Sequence, residues 1–151
     1  MPRAPFNAFT YPYRRVAGGF EYALLKRADS GFWHGASGGG EDDETPLQGA
    51  QRETFEETGI DPDSLFLQLD TVAFIPVTGF RDSPLWGEDV YVIPQYYFGV
   101  LTASSQLVLS DEHFEFKWVG YEEAYGMLHF DSDRNALWEL NQRLRGLGPR
   151  G

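Results

Sequence analysis

The sequence predicts an α/β fold, a mixed β-sheet sandwiched between helices on both faces. Three observations predict it. Short segments rich in aromatic and branched residues read as strands, two well-separated amphipathic stretches read as helices, and no repeat, low-complexity tract or internal linker divides the 151 residues. That length fits one domain with one adequate core, here taken as residues 1–151 with a short Gly/Pro/Arg tail over 146–151 expected to be disordered.

Phe6 to Arg15 and Phe20 to Arg27 flank Ala17-Gly18-Gly19, the pattern of a β-hairpin. The second strand ends in Lys26 and Arg27, charges that either meet solvent or reach a substrate phosphate. Asp29 to Ser37 is a turn-rich connection holding Phe32, Trp33 and His34. Packing under the neighbouring glycine loop is the plainer reading of Trp33, and surface polarity that of His34. Gly38-Gly39-Gly40 permits positive φ and a close backbone approach to a ligand or metal.

Thr45 and Gln48 then form a capping-box pair, Pro46 occupies the first helical position, and Gly59 sits where a left-handed residue ends a helix. The predicted helix runs from Pro46 to Thr58. At about 100° per residue, Leu47, Ala50, Thr54 and Thr58 fall on one side, read as buried. Glu53, Glu56 and Glu57 fall together on another. Like charges at this spacing repel and weaken an isolated helix. A divalent cation would reverse the penalty, because hard oxygen ligands on one face suit Mg²⁺ or Mn²⁺. The alternative is an acidic face that solvent simply covers.

Asp61-Pro62-Asp63 makes a turn, and Leu65 to Val77 alternates as a strand that Pro76 ends at an edge or bulge. Thr78 to Glu88 is a loop with the exposed-looking pair Leu85-Trp86, open to use as a specificity rim, a homodimer contact or a capped turn. Asp89 to Leu101 is a strand interrupted by Pro94, in which Tyr96, Tyr97 and Phe98 must alternate between faces. Glu112-His113 leads into a strand from Phe114, and a short helix follows near Tyr121 to Leu128. A last helix runs to about Arg145, with Leu137, Leu140 and Leu144 on one stripe and Gly146 at its end.

Composition narrows the function. A net charge of −11, from 23 acidic against 12 basic residues, argues against a nucleic-acid backbone as partner. It leaves a small polyphosphate open, since a bound metal ion inverts local charge. The chain has no cysteine, which excludes disulfides, thiolate metal sites and thiol nucleophiles. Neither a signal-peptide pattern at the start nor an apolar run of membrane-spanning length is present, so no membrane partner and a cytoplasmic location are expected.

Residues 38–60, GGGEDDETPLQGAQRETFEETGI, resemble the Nudix hydrolase signature G-x(5)-E-x(7)-R-E-U-x-E-E-x-G-U, where U is a bulky aliphatic. Gly38, Glu44, Arg52, Glu53, Glu56, Glu57 and Gly59 fill the fixed positions and Ile60 the last aliphatic one. At a usage near 6% per residue type, seven such matches arise by chance about once in 10⁸ placements, which outweighs the solvated-face reading. Thr54 departs from the pattern, on the side with Leu47 and Ala50, so its effect falls on packing. The runs KRADSGFWHGASGGGEDDETP, LSDEHFEFKWVGYEEA and FDSDRNALWEL are more loosely similar to the bacterial dihydroneopterin triphosphate pyrophosphatase branch.

The resemblance implies the same α/β/α sandwich and hydrolysis of a phosphoanhydride in a nucleoside- or pterin-triphosphate-like molecule, giving a monophosphate and pyrophosphate. It implies Mg²⁺, with Mn²⁺ able to substitute, held by Glu53, Glu56, Glu57, Glu112 and the Gly38 carbonyl. Glu53 or Glu56 is the implied general base, and Arg52 orients the carboxylates. Lys26, Ser37 and Gly39 are expected near substrate. Asp131, Ser132 and Asp133 either rim the pocket or cap the last helix, and capping is the plainer assignment. A diadenosine polyphosphate hydrolase and a housecleaning enzyme for non-standard nucleotides share the same box. A non-catalytic binding module is disfavoured, because such modules lose box carboxylates and none is lost here.

Overall fold

The long first strand sets the frame. In the computed structural model, which describes residues 3–151 (for Phe114, its backbone), β1 (Arg3–Val16) turns through Ala17-Gly18 into β2 (Gly19–Arg27). Val16 faces Gly19 across the turn, and Gly18 takes the left-handed φ of 85° that so tight a connection requires. The remaining elements are β3 (Trp33–His34), β4 (Ala36–Glu41), α1 (Pro46–Thr58), β5 (Phe66–Pro76), β6 (Val92–Leu101), β7 (His113–Val119), α2 (Tyr121–Met127) and α3 (Asp131–Leu144).

The seven strands form one mixed sheet in the order β3-β2-β1-β6-β5, with β4 added along β1 and β7 along β2. Among the described strand pairs β1 and β6 alone run parallel, Asn7 to Tyr13 beside Gln95 to Leu101. Helices cover both faces. Phe9, Tyr11 and Tyr13 of β1, Tyr22 and Leu24 of β2 and Tyr97 of β6 pack with Leu137 and Leu140 of α3. Ala8 and Phe98 point the other way, against Ala50 of α1. The sandwich is therefore the predicted one, and the run Tyr96-Tyr97-Phe98 divides between its two cores.

Several local readings are corrected. The glycine run is strand, not loop: Gly38, Gly39 and Gly40 lie in β4 against β1, and none has positive φ. Pro94 does not interrupt β6. It pairs with Phe74 of β5, while the parallel pairing to β1 begins only at Gln95, so its missing N–H leaves no gap there. Leu47 is 40% exposed, because α1 buries instead the side carrying Gly49, Ala50, Thr54, Glu57 and Thr58. At α3 the cap residue is Phe130, with no side-chain hydrogen bond, so neither Ser132 nor Asp133 caps the helix. The chain after α3 is tied back to it: Leu147 N donates to Gln142 O at 3.0 Å, and Gln142 Nε2 to Gly148 O at 3.0 Å. Among the described residues no helix is long and apolar enough to cross a membrane.

Candidate active site

The helix that carries the glutamates begins and ends as its sequence dictates. Thr45 Oγ1 accepts from Gln48 N at 3.2 Å, Gln48 Oε1 accepts from Thr45 N at 2.9 Å, and Gly59 closes α1 at φ 77°. Because α1 lies on β4, its carboxylates fan across the glycine strand. A side chain on Gly38 would run into the Glu53 carboxylate, and one on Gly39 into the Arg3 guanidinium. These glycines serve close approach rather than a turn. Gly38→Ala is accordingly expected to displace the Glu53 carboxylate, the mobile end of a side chain, with little effect on folding. The check is metal-dependent turnover, expected to fall about tenfold (~1.4 kcal/mol) at nearly unchanged melting temperature.

Arg52 is the hub. Its Nε and Nη2 grip Glu44 at 2.8 and 3.0 Å, its Nη1 bonds Glu53 at 2.9 Å, and its Nη2 also donates to Gly39 O at 2.8 Å. Hydrogen bonding from Arg52 holds the Glu44 carboxyl below its ordinary range. Glu56 lies outward, 53% exposed, and meets Arg52 only at 3.4 Å.

Glu57 is different in kind. It is 2% exposed, its Oε1 accepts the Ser37 N–H at 3.2 Å, and its Oε2 has no hydrogen-bond partner among the described residues. Burial pushes its carboxyl up to about 9, the Ser37 N–H opposing and the charges of Glu53 and Glu112 adding to the rise. Glu53 is also raised, chiefly by burial, with the charge of Glu56 adding to the rise and Arg52 opposing it. Glu112 sits exposed in the turn before β7, its backbone carbonyl accepting from Ala28 N at 2.9 Å.

Beside Glu57 lies a buried pair that local sequence did not reveal. His34 Nε2 meets His113 Nε2 at 2.7 Å, and His113 Nε2 comes within 3.7 Å of Glu57 Oε1. Burial holds both imidazoles low, to about 3 and about 4, so both are neutral and the contact with Glu57 is not an ion pair. His34 is thus corrected from surface polarity to a buried group. Adjacent Ser37 places its Oγ 3.4 Å from His34 Nδ1.

Ser37, whose N–H bonds Glu57, and His34 also line a cavity of about 530 Å³ that extends to Ser132 and Asp133 at the start of α3, and among the described residues no glutamate is on its wall. Its wall includes Arg27, Trp33, Gln95, Ser132 and Asp133, with Phe32, Phe74 and Phe130 among its aromatic groups. Lys26 is half-buried on β2, its Nζ 5.8 Å from the Trp33 ring, and its neighbour Arg27, bonded to Asp29 at 2.8 and 2.9 Å, is the cation on the cavity wall. Asp133 is buried and accepts from the Tyr97 hydroxyl at 2.7 Å, and burial pushes its carboxyl up to about 6. A second cavity of about 520 Å³, lined by Trp138, Glu139 and Arg143, lies away from α1. The loop over 78–88 forms two short 3₁₀ turns, and Trp86 Nε1 donates to Arg3 O at 2.7 Å, tying the loop to β1.

A divalent cation can be tested against these groups. Among the described residues no three His, Asp or Glu side chains already surround one metal position. The donor chemistry nevertheless fits. A buried carboxylate with an unpartnered oxygen, a second carboxylate one helical turn away whose charge raises it and a side-chain-free strand alongside supply hard oxygens that repel one another until a cation joins them.

Comparison with known proteins identifies the family. Residues 15–140 match the family model described as NUDIX domain. No curated protein matches the chain. Among solved structures it is similar to a protein named as a NUDIX hydrolase from Listeria monocytogenes, 36% identical over 95% of this chain and 96% of that one, with a TM-score of 0.84. It also resembles the E. coli dihydroneopterin triphosphate pyrophosphohydrolase at 22% identity, covering 93% of this chain and 97% of that one, TM-score 0.75. A C. elegans Ap4A hydrolase matches at 23% identity over 95% and 99%, TM-score 0.72. At those last two identities the likeness speaks for the fold alone.

Proposed function

The chain belongs to the Nudix family of hydrolases, and on that premise we propose that it is a Mg²⁺-dependent pyrophosphohydrolase of nucleoside- or pterin-triphosphate-like substrates. The observation that carries this reading is Glu57, a buried carboxyl with an unpartnered oxygen, one helical turn from Glu53 and bonded to the N–H of Ser37, a residue on the wall of the 530 Å³ cavity. The cavity is large enough for a bicyclic ring and sugar.

In this proposal Glu53, Glu56, Glu57, Glu112 and the Gly38 carbonyl hold the cation. When bound, Mg²⁺, or Mn²⁺ in its place, neutralises phosphate oxygens and acidifies a water for attack on the anhydride. Arg52 fixes the Glu53 carboxylate at 2.9 Å and anchors α1 to β4 through Gly39 O, so it positions ligands rather than touching the reacting atoms. The general base is Glu53 or Glu56. Glu56 is the more loosely held, its contacts with Arg52 reaching only 3.4 and 3.5 Å, and its carboxylate oxygen can take the proton of the attacking water. Ser37 and Gly39 line the approach of the phosphates, with Lys26 and Arg27 the nearest strand-end cations.

The test is product release from dGTP, dATP, dihydroneopterin triphosphate and Ap4A with Mg²⁺ and with EDTA. Pyrophosphate and a monophosphate are expected from at least one triphosphate, and release is expected to stop with EDTA. A Nudix-fold binding module would release neither product from any of the four.

A further inference from the structure

We propose that Asp133 reads the ring of the substrate, and that the ring carries a 2-amino-4-oxo edge, in which a ring N–H lies between an exocyclic amine and a carbonyl. The proposal refines the substrate class of the pyrophosphohydrolase reading and rests on it for the position of the phosphates.

Asp133 is 4% exposed in the first turn of α3, yet it lines the cavity and does not cap the helix. A buried carboxylate in that position needs another reason. Its Oδ1 accepts the Tyr97 hydroxyl at 2.7 Å, the one side-chain hydrogen bond it has among the described residues, which leaves the second oxygen for a ligand. The hydrogen bonds behind it run one way. Asn7 Nδ2 donates to Gln95 Oε1 at 2.7 Å, Gln95 Nε2 donates to the Tyr97 hydroxyl oxygen at 2.9 Å, and Tyr97 donates on to Asp133. Each amide uses one of its two N–H donors in this chain.

The cavity wall therefore offers a carboxylate acceptor at one end and spare amide donors, from Asn7 and Gln95, at the other. The complementary ring edge has two adjacent donors and then an acceptor. Guanine and pterin carry that edge: N–H and NH₂ face the carboxylate, and the carbonyl accepts from an amide. Adenine offers one amine and no carbonyl. Phe32, stacked on His129 at 4.0 Å, and exposed Phe130 stand at the cavity with faces available to a planar ring.

The experiment is calorimetric binding of GMP, IMP and AMP to the full chain in EDTA, conditions with no anhydride to cleave and no metal. GMP is expected to bind at least about tenfold more tightly than IMP, which lacks the exocyclic amine, and than AMP, the usual worth of a hydrogen bond to a charged group. Asp133→Asn is expected to bring the three within about threefold of one another. Equal binding of the three nucleotides by the wild-type chain overturns the proposal whether or not the variant folds, as does no measurable GMP binding at millimolar concentration. A GMP preference in a chain that hydrolyses nothing would sustain Asp133 as the reader and count against the hydrolase reading instead. Guanosine against dihydroneopterin in the same assay separates the two sources of the edge, and a preference of adenosine over both also overturns the proposal.

Discussion

Glu57→Gln is expected to lower metal-dependent pyrophosphate release by about 10²–10³-fold, or ~3–4 kcal/mol of transition-state stabilisation. Glutamine keeps the shape, and its carbonyl oxygen can still accept the Ser37 N–H that Glu57 Oε1 takes at 3.2 Å. What disappears is the capacity to become a carboxylate. The same substitution carries a signature in stability. The carboxyl of Glu57 is raised to about 9 in the fold, from an ordinary value of 4.5. The folded state therefore binds this proton more tightly than the unfolded chain does. Its contribution is complete below about pH 4.5 and is lost as pH rises toward 9, by at most ~1.4 kcal/mol per pH unit. Without metal, the melting temperature should fall over that window. Added Mg²⁺ should restore more at pH 8 than at pH 6, because binding a cation displaces the proton. In Glu57→Gln both the fall and the Mg²⁺ rescue should flatten. A variant with wild-type turnover would remove Glu57 from the site.

Arg52→Ala is expected to cost both activity and stability. Its guanidinium bonds Glu44 twice and Glu53 once, and these two acids have side chains only 20% and 15% exposed. Removal leaves two half-buried carboxylates without their cation and frees Gly39 O. Loss of a partner from a fully buried pair costs roughly 3–5 kcal/mol and from an exposed pair under about 1. An intermediate value, about 2–3 kcal/mol in urea unfolding, is expected here, with Mg²⁺-dependent turnover reduced at least tenfold. Arg52→Lys should recover only part of either, since one ammonium cannot reproduce a planar fork gripping Glu44 at 2.8 and 3.0 Å. Full recovery by lysine would show that charge alone matters.

These effects depend on features of unequal visibility in the sequence. α1 was legible to the residue, because its signals are local: a capping box at Thr45 and Gln48, a proline inside the start and a left-handed Gly59. The alternation of Tyr96, Tyr97 and Phe98 between the two faces of β6 was equally plain. The partners of buried polar groups were not. His34 and His113 meet because β3 and β7 flank opposite edges of β2, a contact between residues 79 apart that no local pattern encodes. Asp133 read as a helix cap since Ser and Asp at a helix start usually are caps, whereas its burial follows from Tyr97, 36 residues away. The glycine strand β4 has the local sequence of a loop because glycine is a poor strand former, and the need for room beneath Glu53 and Arg3 appears only once α1 and β1 are in place. The glutamate side was likewise coarser in sequence: Glu53 and Glu57 converge, while Glu56 leans outward to 53% exposed.

The most direct measurement is an anomalous difference map from a crystal of the wild-type chain soaked in Mn²⁺. A peak within about 2.0–2.4 Å of carboxylate oxygens from both Glu53 and Glu57, on the side facing Gly38, is expected. Manganese bound elsewhere, or no peak beside Glu57 at a concentration that supports turnover, would contradict a metal site built on α1.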